Sequence, residues 1–84
     1  MQFKARIYTS LKKSVLDPQG QATLHALGSM GFKEAKSLRV GKAFDLVLEA
    51  VDRAKAESCI HAMCDKLFAN PVIEEYTFEL QALP

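Results

Sequence analysis

The chain alternates between apolar and polar positions near both ends and carries apolar residues at helical spacing in between. In residues 2–10, QFKARIYTS, Phe3, Ala5 and Ile7 fall on one side and Lys4, Arg6 and Tyr8 on the other. A period of two predicts a strand with one buried face. Residues 72–80, VIEEYTFEL, repeat the pattern, with Tyr76, Phe78 and Leu80 inward and Glu75, Thr77 and Glu79 outward. Between these strands, Ala22, Ala26, Leu27 and Met30, with Leu24 nearby, mark one helix. Ala56, Ile60, Met63 and Leu67, widened by Cys64 and Phe68, mark a second over 53–69. Residues 35–50, AKSLRVGKAFDLVLEA, read as a hairpin. Leu38 and Val40 lie on one face of its first arm, Phe44, Leu46 and Leu48 on one face of its second, and Gly41-Lys42 supplies the tight turn.

Punctuation residues support these limits. Asp17 is a good N-cap and Pro18 a good first helical residue. Gly31 stops the first helix in the left-handed region, while Gly28 is expected to permit close packing. Asp52 caps the second helix and Asn70-Pro71 ends it, because proline cannot continue the hydrogen-bond ladder. Within VLDPQG, residues 15–20, Gly20 stands where a stronger helix former would be cheaper. Two readings account for it. Gly20 either opens the helix mouth to close approach by another chain, or belongs to a β-turn that precedes the helix. Asp17 already places a negative charge there, which favours a protein contact over a phosphate site.

The element order is β-α-β-β-α-β. An antiparallel sheet with two helices on one face is the economical way to bury these stripes, which is the α+β, ferredoxin-like two-layer sandwich. Outward Lys4 and Arg6 on the first strand would meet outward Glu75 and Glu79 on the last, each cross-strand pair contributing about 0.2–1 kcal/mol. The pattern is equally compatible with a last strand paired in its own chain and one shared with a second copy. The outer sheet face carries Tyr8, Val47 and Ile73 among its charges. They make it a candidate self-association surface, although isolated apolar residues on a surface are also ordinary.

Length and charge narrow the function. Residues 1–84 suit one domain, and a unit this small buries only about 60–65% of its unfolded surface, so partners are expected. Apolar residues make up 49% and charged residues 25%, which excludes a disordered chain. Eleven basic and ten acidic residues are dispersed to a net charge of +1, with no polybasic surface for nucleic acid or anionic membrane. No apolar stretch approaches the roughly 20 residues that span a bilayer. The N-terminus lacks the apolar core of a signal peptide. Cys59 and Cys64, about 140° apart around one helix, suit no intrachain disulfide. A reduced, cytoplasmic chain is the expectation.

Catalytic constellations are missing. No serine sits in a nucleophile elbow and no paired carboxylates bracket a pocket. His25 and His61 fall on helices, and His25 has no visible partner. His61 and Cys64 can converge, but Cys59 points elsewhere, short of the three or four ligands zinc needs, so no metal site is expected. Gly41-Lys42 is not a phosphate loop, since position 36 is Lys and position 43 is Ala. RVGKAFDLV, residues 39–47, matches an RNA-recognition strand only at Gly41, Ala43 and Phe44, and outward Asp45 and Glu49 would repel a phosphate backbone.

The segments YTSLKKSVLDPQGQATLHALGSMGF, RVGKAFDL and MCDKLFANPVIEEYTFEL closely resemble the PurS family, the small subunits of phosphoribosylformylglycinamidine synthase. The likeness covers almost the whole chain, and Ala43 stands where the family pattern suggests an aromatic. The resemblance implies a non-catalytic subunit of a purine-biosynthetic, glutamine-dependent C–N ligase. It also implies a homodimer or higher oligomer that joins a glutaminase subunit to a synthetase subunit, so that ammonia from glutamine reaches formylglycinamide ribonucleotide. ATP and Mg would belong to the synthetase partner, with no cofactor on this chain. Asp17 and Gly20 at the helix mouth, and Arg39, Gly41 and Lys42 at the hairpin tip, are the candidate partner contacts. The alternative is a dimeric α+β module that senses a small molecule.

Overall fold

The computed structural model describes Met1–Pro84. The elements are β1 (Gln2–Leu11), α1 (Pro18–Ser29), β2 (Gly41–Glu49), α2 (Arg53–Met63), a π-helical turn (Cys64–Phe68) and β3 (Glu74–Ala82). The strands form one antiparallel sheet in the order β2-β1-β3. This is the α+β, ferredoxin-like arrangement expected from the sequence, with three of the four expected strands formed. The last strand pairs with β1 of its own chain, Ile7 lying opposite Phe78 on β3 and Phe44 on β2.

Alternation decides the faces. Phe3, Ala5, Ile7 and Thr9 are buried, and the residues between them are exposed. On the buried side Ala5 and Ile7 meet Ile60 and Cys64, surrounded by half-buried Phe44, Leu46, Leu48, Phe68, Tyr76, Phe78 and Leu80. Phe44 stacks on Phe68 with ring centroids 4.7 Å apart, an arrangement that contributes about 0.5–1.5 kcal/mol beyond its buried area.

α2 begins as its sequence requires, with the Asp52 carboxylate accepting from the Lys55 N–H at 2.8 Å. Its end departs from regular spacing. The Ala69 N–H reaches back to the Cys64 carbonyl at 2.9 Å, closing one wide turn. The buried stripe therefore runs Ala56, Ile60, Cys64, Phe68, whereas Leu67, expected in that stripe, is 79% exposed. One extra residue in the turn rotates position 68 inward and position 67 out.

Three other expectations are corrected. Residues 35–40 carry no strand, and Gly41-Lys42 is not a hairpin turn but the opening of β2, where Gly41 lies opposite Ser10. The physical reason is capture. The Val40 N–H donates to Asp17 and the Arg39 guanidinium holds carbonyls of the 11–15 connector, so the preceding segment is led past α1 and not along the sheet edge. Second, the α1 positions Ala22, Ala26 and Met30 are exposed, and only Leu24 and Leu27 are half-buried. The three-stranded sheet is narrow, and its core is already filled by α2 and the π-turn. Gly28, expected at a close contact, has nothing within 4 Å of where a Cβ would stand. Gly31 is left-handed, φ +96°, as its place after the helix predicts.

Candidate functional site

The candidates of the first helix mouth and the β2 start meet around one carboxylate. Asp17 is 4% exposed. Its Oδ1 accepts from the Gly20 N–H at 2.9 Å and its Oδ2 from the Val40 N–H at 2.8 Å. It thus caps α1 and fastens the chain that leads into β2. These two bonds, the Val40 one first, hold the Asp17 carboxyl below the ordinary carboxylate range; the nearby Arg39 charge helps and burial opposes.

Gly20 is buried within the first turn of α1, so it is neither open to another chain nor part of a β-turn ahead of the helix. A Cβ there would stand 2.8 Å from the Leu38 carbonyl oxygen and 2.9 Å from Asp17 Cγ. The residue is glycine because the 38–40 segment crosses directly over the helix mouth. Arg39 works from the same segment in the opposite direction. Its Nη2 donates toward the carbonyls of Lys12 at 2.9 Å, Val15 at 3.1 Å and Leu11 at 3.3 Å. Asp17, Gly20 and Arg39 are therefore one clasp joining α1, the β1–α1 connector and the entry to β2.

Beside the clasp, a cleft of about 310 Å³ opens among Thr9, Asp17, Gln19, Gly41, Lys42 and Glu74. Gly41 is again a close approach, since a Cβ would stand 2.9 Å from the Thr9 carbonyl oxygen. Sequence reading missed Thr9 and Glu74, although the signal was present. Thr9 continues the Phe3, Ala5, Ile7 stripe with a polar residue, and Glu74 shares the inward parity of Tyr76, Phe78 and Leu80.

The outer sheet face gathers some expected residues and separates others. Tyr8 and Val47 are exposed there, at 39% and 57%, while Ile73 lies in the turn before β3. Arg6 lies opposite Glu79 as expected, but its guanidinium binds Asp45 on the other side, at 3.0 and 3.1 Å, and lies 5.7 Å from the Tyr8 ring centroid. Lys4 faces Gln81, not an acid.

A second polar group sits on the rim of the core. Tyr76 Oη lies 2.7 Å from His61 Nδ1 and 3.5 Å from Asp65 Oδ1, and the His61 and Phe78 rings pack T-shaped with centroids 5.1 Å apart. Burial and the Asp65 charge raise the Tyr76 phenol above its usual range. Burial, then Asp65, raises the Cys64 thiol, so it stays protonated and inert at neutral pH. Cys59 and Cys64 are both free. No helix is long and apolar enough to cross a membrane.

Comparison with known proteins adds an independent line. The family model described as PurS, phosphoribosylformylglycinamidine (FGAM) synthase, matches residues 4–82. Subunit PurS of the Bacillus subtilis synthase is 47% identical over 79 residues, 94% of this chain and 93% of that protein. A crystal structure of B. subtilis PurS superposes with a TM-score of 0.87 at 46% identity, covering 95% of this chain and 99% of that one. A chain in the structure of PurLQS from Thermotoga maritima superposes with a TM-score of 0.89 at 32% identity, covering 96% of this chain and 99% of that one.

Proposed function

The chain belongs to the PurS family of phosphoribosylformylglycinamidine synthase subunits, and on that premise we propose that it is the non-catalytic bridging subunit of such a synthase in purine biosynthesis. The observation that carries this reading is the full-length fit to a chain of the T. maritima PurLQS assembly. In that role the chain joins a glutaminase subunit to a synthetase subunit, in the cytoplasm, and the synthetase partner carries ATP and Mg. Ammonia released into bulk water is protonated and diluted. A docked route keeps it neutral and concentrated at the acceptor, which is a proximity and desolvation effect and asks no reactive group of the bridge.

The geometry suits a scaffold. Arg39, Gly41 and Lys42 are exposed, which supports them as the partner-facing surface, with the buried Asp17 and Gly20 fixing that surface from beneath. Reconstitution tests the role. Omitting this chain from a mixture with both partners is expected to abolish glutamine-dependent synthesis and to spare synthesis from added ammonia. Equal loss of both would place it in the chemistry itself, and loss of neither would remove it from the complex.

A further inference from the structure

We infer that the cleft at the Thr9 end of the sheet binds a small zwitterion of the α-amino acid class, with Lys42 at its carboxylate and Glu74 at its ammonium group. Thr9 lies directly opposite Lys42 on β2, and Leu11 opposite Glu74 on β3. Opposed residues share a face, and alternation from Phe3, Ala5 and Ile7 sends the Thr9 side chain to the helix-covered one. Thr9, Lys42 and Glu74 therefore project from one side of the sheet into the cleft, beside the first turn of α1.

Three observations point to a ligand. Thr9 is 1% exposed, and its Oγ1 is a buried side-chain oxygen without a hydrogen-bond partner, a condition that is costly to maintain. Glu74 has a side chain only 16% exposed; Oε1 accepts from the Asn70 N–H at 2.8 Å, and Oε2 has only Lys42 Nζ at 3.8 Å. That separation is too long for a hydrogen bond. The Lys42 side chain is 62% exposed, so the loose pair opens at little cost.

Charge decides the ligand class. Both Asp17 oxygens already accept backbone N–H groups, and Arg39 lies near enough to act on its charge. Lys42 and Glu74 balance each other. The site is thus neutral overall but split into a cationic and an anionic side. A simple anion would face Asp17 and Glu74, and a simple amine would leave Lys42 without a partner. A molecule with both groups matches both sides, its ammonium donating to Glu74 and, once a shift of the Thr9 side chain uncovers Oγ1, to Thr9, while its carboxylate accepts from Lys42. The cleft's about 310 Å³ lies at the small end of ligand pockets.

The test is a titration of the isotopically labelled full chain followed by amide NMR, with L-alanine as probe and acetate and methylamine as half-ligands. Saturable millimolar shifts at Thr9, Lys42 and Glu74 are expected for L-alanine, at least about tenfold tighter than for either half-ligand. Lys42→Met is at an exposed position and should retain the fold; it and Glu74→Gln should each weaken L-alanine by about tenfold or more. Absence of saturable shifts, equal response to acetate or methylamine, or binding indifferent to Lys42→Met would overturn the inference. Because the lone chain is measured, either result leaves the bridging role to its own test.

Discussion

At the scale of single residues, two glycines of one helix have opposite reasons for being there. Gly20 is enclosed: an added methyl would meet the Leu38 carbonyl oxygen at 2.8 Å and a carboxylate pinned by two N–H groups, neither free to retreat. Gly20→Ala is expected to destabilise the fold by about 1–3 kcal/mol, the usual cost of overpacking. Gly28 faces open space, so Gly28→Ala should instead stabilise by about 0.5–1 kcal/mol, through helix propensity and a less mobile unfolded chain. Chemical unfolding of the two variants should move the midpoint in opposite directions, and a shared direction would refute the assignment of Gly20 to a steric role. The sequence marks Gly20 as unusual but not why. The cause is the carbonyl of Leu38, remote along the chain, and local propensity carries no information about which distant segment crosses a helix mouth.

At the scale of elements, legibility follows the range of the forces involved. β1, β3, both N-caps and the left-handed Gly31 are governed by neighbours a few residues away, and all were readable. The 35–40 arm was misread because its alternation of Leu38 and Val40 is also met by a segment whose polar groups are taken by Asp17 and the connector carbonyls. The π-turn was invisible because the Leu67/Phe68 choice depends on Phe44 across the core. The clasp that overrode the hairpin pattern has a pH signature. Asp17 is held below its ordinary value of 3.8 in the fold, so the unfolded chain binds its proton more readily. The clasp contributes fully above that value and is lost as pH falls through the lower folded value. Amide exchange at Gly20 and Val40 should therefore accelerate, relative to the core amides of β1, on acidification below about pH 4. In Asp17→Asn, which offers one acceptor where two are needed, those amides should exchange fast at neutral pH with no acid step. Unchanged protection in that variant would show the clasp to be incidental.

At the scale of the whole molecule, the plate of 51 × 30 × 14 Å has one helix-covered face and leaves the outer edges of β2 and β3 without partners inside the chain. Open strand edges are templates for further pairing unless something blunts them. Large apolar side chains add to the exposed surface: Met30, Leu67, Val51 and Val72 are each more than 70% exposed. The stability of such a chain is expected to depend on association, as the smallness of the domain and the apolar outer face had suggested from sequence. What the sequence could not say is which surfaces remain open, because that follows from strand order and from α1 standing off the core. If copies of the folded chain bind one another and unfolded chains do not, mass action raises the unfolding midpoint with protein concentration. Thermal unfolding over a hundredfold concentration range should show that rise. Val47→Lys, which charges the outer face without touching the core, should flatten it if that face is the contact. A midpoint that ignores concentration, together with a monomeric mass in sedimentation at every concentration, would mean the exposed surfaces are reserved for other proteins.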